Sequence, residues 1–169
     1  QIRSALVFNL GVAYWALDQD ETAEETLAEA RQLAGMCGNH YIVCLATRFK
    51  AMILRKHGRL REAAALCRET IQAIGGSGQG ERRFPVLGVI YITLGEILLK
   101  WNDLEEADRA LAKGLEQNVL TSELPFQILG YFALSRVKQA QGNLAESSDA
   151  LERAGALSPT AAQWVDMPT

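Results

Sequence analysis

Cysteine, histidine and long apolar runs are all scarce in this chain of 169 residues. The three cysteines, Cys37, Cys44 and Cys67, are odd in number and form no CxxC pair. That excludes a secreted disulfide framework and a zinc knuckle, and it fits a reducing cytoplasm. His40 lies four residues before Cys44, with Cys37 close by. Cys37, however, sits between glycines in Gly35-Met36-Cys37-Gly38, and Cys44 reads as a small hydrophobe inside a helix, so no metal site is expected. His57 closes a helix ahead of Gly58, where a cationic ring would complement the helix dipole. The most apolar stretch, Pro85 to Leu99, is about 15 residues long and contains Gly88, Gly95 and Glu96. Roughly 20 are needed to cross a bilayer, so it reads as a buried helix and no membrane role is expected.

Positive charge is not in excess either. Lys and Arg total 17 against 20 Asp and Glu, for a net charge of -3, whereas phosphate-backbone binding depends on clustered cations and the counterions they release. No direct nucleic-acid contact is expected. Catalytic patterns are missing as well: there is no Ser-His-Asp or Cys-His arrangement, no pair of carboxylates in an apolar run, and no GxxxxGK[ST]. Gly75-Gly76-Ser77-Gly78-Gln79-Gly80 is glycine-rich but follows no strand, so it reads as a flexible linker and not as a phosphate cradle. Neither an enzyme nor a cofactor is expected. The opening residues, from Gln1, read as already inside an amphipathic helix with no leader, as expected of part of a longer chain.

What is present is a repeat. Small residues recur at Gly11, Ala51, Gly95 and Ser135, and again at Ala23, Ala63, Ala107 and Ser147. Two further series, Leu27, Cys67, Leu111, Leu151 and Ala30, Thr70, Gly114, Ala154, keep the same steps of 40, 44 and 40. Within a unit, the second, third and fourth positions are separated by 4 and 3 residues, which places them on one helical face. Between the first and second lies a break: Asp18-Gln19-Asp20, Gly58-Arg59, Asn102-Asp103 or Gly142-Asn143. These are turn and capping residues, and Asp103 with Glu106 and Asn143 with Glu146 have capping-box spacing. Each unit therefore predicts helix, tight turn, helix. Small facing residues let the paired helices approach closely, and no pair buries both faces alone, so the units must stack into a right-handed α-α superhelix with a concave inner wall. The predicted units run about 1–36, 40–75, 84–118 and 124–159, followed by a tail at 160–169.

Leu10-Gly11-x-x-Tyr14 followed by Ala23, Leu27 and Ala30 resembles a tetratricopeptide (TPR) repeat, and the last unit adds Leu144, Leu151, Ala154 and Pro159, where such repeats end in proline. The resemblance covers essentially the whole chain. Its departures are a period near 40 where 34 is usual, linkers such as Ala34 to Asn39 and Gly75 to Pro85, and Lys50 and Lys138 at positions that prefer apolar residues. Long repeats rich in short aliphatics are similar to the sensor region of MalT-like bacterial regulators, in which an ATP-binding module precedes the repeats and a LuxR-type helix-turn-helix follows them. That resemblance implies a cytoplasmic effector-sensing domain of a transcription activator, contacting other domains of its own chain. The alternative is a general TPR module that docks a partner peptide or helix.

In such repeats the first helix of each pair lines the concave wall. Projected onto this chain, the inner face is Phe8, Val12 and Trp15; Arg48, Met52 and Arg55; Ile92, Glu96 and Leu99; and Phe132, Arg136 and Gln139. Aromatic, methionine and arginine surface suits a protein or peptide partner or a small polar effector. Glu96 is a lone carboxylate in an apolar helix, so it is expected to face the groove or to pair with an arginine such as Arg55 or Arg136. The apolar ends of the solenoid are candidate sites of self-association.

Overall fold

The computed structural model describes residues 2–76, 85–118 and 124–165, and for 158–165 the backbone alone. The described residues form eight α-helices and no strand: α1 (Ile2–Ala16), α2 (Asp20–Met36), α3 (His40–Lys56), α4 (Leu60–Gly75), α5 (Leu87–Trp101), α6 (Leu104–Asn118), α7 (Leu124–Ala140) and α8 (Leu144–Val165). Each predicted break is a turn between paired helices. Asp18, Gly58, Asn102 and Gly142 all take positive φ there, between 57° and 79°, so the chain reverses through one left-handed residue. Two expected capping boxes are half formed. Asp103 and Asn143 accept from the amides of Glu106 and Glu146, while the glutamate side chains reach Arg68 and Lys138.

The long period resides in the helices more than in the linkers. Helices α1 to α7 span 15 to 17 residues each, and α2 continues through Met36 into what reads in sequence as a linker. Helix α8 runs past Pro159 to Val165, over part of the expected tail. Residues 77–84, with most of the glycine-rich linker, and 166–169 lie outside the described residues.

Packing follows the small-residue lattice. A Cβ placed on Gly11 would meet Leu27 Cγ at 2.9 Å, and one on Gly95 would overlap Leu111 Cγ, so α1 lies against α2, and α5 against α6, at glycine-limited distance. In the last pair the two small residues are polar, and Ser135 and Ser147 share a buried hydrogen bond of 3.0 Å. The core fills two clusters, one around Phe8, Leu27, Ile42 and Ile53, the other around Leu54, Ile90, Ile97, Leu98, Leu111 and Val137.

The stack is asymmetric across its thickness. Each odd-numbered helix packs on the next odd-numbered one, α1 on α3, α3 on α5 and α5 on α7, whereas even-numbered helices do not pack on each other. Long side chains bridge them instead: Arg31 to Glu69 at 2.9 Å, Arg59 to Glu24 at 3.2 Å and Arg68 to Glu106 at 2.8 Å. Close approach on the odd side and spread on the even side bend the solenoid, with the odd helices on the inner wall. Both lysines that depart from the repeat pattern are paired: Lys50 with Glu24 at 3.4 Å, and Lys138 with Asp108 and Glu146 at 2.7 and 2.8 Å.

Candidate functional site

The inner wall holds an open cavity of about 570 Å³ lined by Trp15 of α1, Met52, Arg55 and Lys56 of α3, Glu96, Leu99 and Lys100 of α5, and Arg136 of α7. It therefore draws on all four odd helices, near their C-terminal ends. Trp15 stands edge-on to Phe49, ring centroids 5.1 Å apart and planes at 73°, an arrangement that aromatic quadrupoles favour. Its ring is thereby held as a fixed apolar wall.

Glu96 is the hub of the polar part. Its two oxygens lie 3.3 Å from Arg48 Nη1 and 3.6 Å from Arg55 Nη1. Arg48 is buried, and it also donates to Thr93 Oγ1 at 2.9 Å and lies over the Phe126 ring, 5.4 Å from its centroid. A lone buried guanidinium would be costly, and Glu96, Thr93 and Phe126 together answer that cost. Lys56 is engaged differently: Asp18 and Asp20 hold its Nζ at 3.0 and 2.8 Å, and hydrogen bonding to Asp20 keeps the ammonium above its ordinary pKa. The same contact lowers Asp20, whose Oδ2 also takes His57 Nε2 at 2.9 Å. His57 is thus tied to a carboxylate in addition to capping α3. Lys100 and Arg136 are exposed and make no ion pair among the described residues.

The placement of the sequence-derived groove residues follows a regular rule. Trp15, Met52, Arg55, Glu96, Leu99 and Arg136 come together around the cavity. Phe8, Arg48 and Ile92, the first members of their triads, do not line it. Phe8 packs edge-on against Phe49 at 5.7 Å, and Arg48 is buried against Thr93 and Phe126. Ile92 is completely buried, because α6 and α7 close over it: a Cβ on Gly114 would come 2.8 Å from its Cγ1, and one on Gly130 2.9 Å from its Cδ1. Val12 is half-buried against the first cluster. Phe132 is 49% exposed on α7, which has no further odd helix beyond it among the described residues, and Gln139 is exposed outside the cavity. Sequence reasoning missed Lys56 and Lys100. The available signal was their position, one residue beyond Arg55 and Leu99 in the last turn of α3 and α5.

Among the described residues, no cluster of three or more His, Cys, Asp or Glu gathers as a metal site, and no helix is long and apolar enough to cross a membrane. Burial pushes the thiols of Cys44 and Cys67 up to about 12, which keeps them protonated and poorly nucleophilic.

A family model described as the MalT-like TPR region matches residues 1–169. None of the curated proteins matches the sequence. Among solved structures, the crystal structure of BtubC (BKLC) from P. vanneervenii is similar at a TM-score of 0.70 and 18% identity. The alignment covers 98% of this chain and 66% of BtubC, so the chain spans just under two thirds of that protein's length. At this identity the likeness concerns the fold.

Proposed function

This chain belongs to the family of MalT-like TPR regions, and from that premise we propose that it is a non-catalytic, cytoplasmic effector-sensing scaffold of a bacterial LuxR-type transcription activator. The observation that carries this reading is the inner-wall cavity. It takes a side chain from each of the four odd helices, so a ligand there would contact every unit of the stack at once. Its volume lies within the range of small-ligand sites, and it combines apolar walls with a few charged groups. Binding that favours one curvature of the solenoid over another would shift the balance between an inhibited and an associating form of the whole regulator.

The test is a thermal-shift screen of sugars and metabolites on the chain. A binder raises the unfolding midpoint by mass action, and the shift is expected to disappear in Trp15→Ala. A screen without any shift, alongside capture of a defined partner peptide or helix, would replace this reading with the docking module. Phe132, 49% exposed on α7, supplies apolar surface for that second reading.

A further inference from the structure

The net charge of -3 conceals a sharp segregation. The odd helices α1, α3, α5 and α7 together carry eight Lys and Arg and a single acid, Glu96. The even helices carry six Lys and Arg against fourteen Asp and Glu. The odd helices are thus net cationic in an acidic protein, and Arg55, Lys56, Lys100 and Arg136 bring four of those cations to the cavity.

Local pairing decides which of these charges remain available. Arg55 and the buried Arg48 share Glu96, and Lys56 is held by Asp18 and Asp20. Glu96 therefore faces the cavity with its charge already met by two guanidinium groups. Lys100 and Arg136, on neighbouring odd helices, line the same cavity with no ion pair among the described residues. Lys100 occupies the last turn of α5, where the negative end of the helix dipole favours a cation. The same cavity is lined by Trp15, Met52 and Leu99, and Trp15 is stiffened by Phe49.

Resting on the effector-binding reading above, we propose that the effector is a small organic anion: a phosphate or paired-carboxylate group held by Lys100 and Arg136, with a planar or apolar body against Trp15. Two cations lining one cavity match two or more negative charges, and the planar guanidinium of Arg136 suits a phosphate or carboxylate edge. A cavity of about 570 Å³ accommodates a molecule of metabolite size.

The experiment is calorimetric titration of the chain with five small probes: glucose 6-phosphate, glucose, phenyl phosphate, inorganic phosphate and citrate, each at low and moderate salt. Glucose 6-phosphate or citrate is expected to bind where glucose does not, which distinguishes phosphate from carboxylate as the anionic group. Phenyl phosphate is expected to exceed inorganic phosphate, with that advantage lost in Trp15→Ala. Binding should weaken with salt and fall about a hundredfold in Lys100→Ala/Arg136→Ala, roughly tenfold per cation. Both residues are exposed, so the double variant should fold, which its circular dichroism checks. Equal binding of glucose and glucose 6-phosphate, untouched by the double variant, overturns the anion assignment while the effector-binding reading stands. Anion binding that survives the double variant overturns the site. If a hexaglutamate peptide binds and none of the five small probes does, the small-molecule assignment and the sensing reading fall together.

Discussion

Substituting Gly95 by alanine tests the close approach on which the stack depends. In an exposed helix interior, Gly→Ala stabilises by about 1 kcal/mol through helix propensity. At Gly95 the added methyl would overlap Leu111 Cγ and Cδ2 and lie 3.3 Å from the carbonyl oxygen of Ala107. Leu111 is completely buried and the carbonyl belongs to backbone, so neither can swing aside. Overpacking of this kind costs about 1–3 kcal/mol, and with the propensity gain set against it the net expectation is destabilisation by up to about 2 kcal/mol. Gly35, within α2, provides the control, because a Cβ there meets nothing within 4 Å. Gly35→Ala is expected to be neutral or stabilising by up to about 1 kcal/mol. Urea unfolding followed by far-ultraviolet circular dichroism compares the two. Leu111→Ala alone should cost about 2–5 kcal/mol, and combined with Gly95→Ala it should cost less than the sum of the single changes, because the leucine that clashes is gone. Gly95→Ala as stable as Gly35→Ala, or strict additivity with Leu111→Ala, would refute the claim that helix approach here is limited by glycine.

The remaining predictions concern charges and thiols. Glu96→Ala should destabilise more than Arg48→Met in the same unfolding assay, because it leaves Arg48 buried without its carboxylate, whereas methionine retains the packing and removes the charge. Hydrogen bonding to Lys138 lowers the pKa of Glu146 below its ordinary 4.5. A depressed carboxylate contributes stability above its unfolded pKa and loses it as pH falls through the folded value. The midpoint of thermal unfolding should therefore drop below about pH 4.5, less steeply in Lys138→Met. Lys138 is itself raised above 10.5, chiefly by Asp108. Its contribution is present below 10.5 and disappears as pH rises through the folded value, so the same variant should flatten the alkaline limb. Thiol titration with a disulfide reagent at pH 8 should label Cys37 quickly in the folded chain, and Cys44 and Cys67 only after unfolding, since both are buried with thiols near 12.

The lattice of small residues was legible in sequence because it is a property of spacing: Gly11, Gly95 and their partners Leu27 and Leu111 recur at fixed steps, and the turn residues between them need particular backbone conformations. Membership of one helical face was legible for the same reason. How that face changes character along a helix was not. Ile92, Glu96 and Leu99 share a face, yet α6 and α7 close over Ile92 while Glu96 and Leu99 border the cavity. The same change separates Phe8 from Trp15 and Arg48 from Arg55. Neighbouring helices cross at an angle, so one stripe passes from core to groove over two turns. That angle depends on the side chains of three helices together and cannot be read from one.

The charge segregation gives the ion pairs of the convex side a second role. Acids on the even helices meet the few cations there through pairs such as Arg31–Glu69 and Arg68–Glu106, which span adjacent units, while the odd helices keep cations that their own acids cannot balance. Surface pairs of this kind are individually weak, worth about 0–1 kcal/mol, so they tether the units without locking their spread. Contacts between odd helices are close, and between α3 and α5 they add the pairs of Arg48 and Arg55 with Glu96 to the apolar packing. A solenoid with a tight inner side and a loosely tethered outer side changes curvature at low cost, and an anion drawing Lys100 of α5 and Arg136 of α7 toward itself would act on the inner side, between two units of the stack.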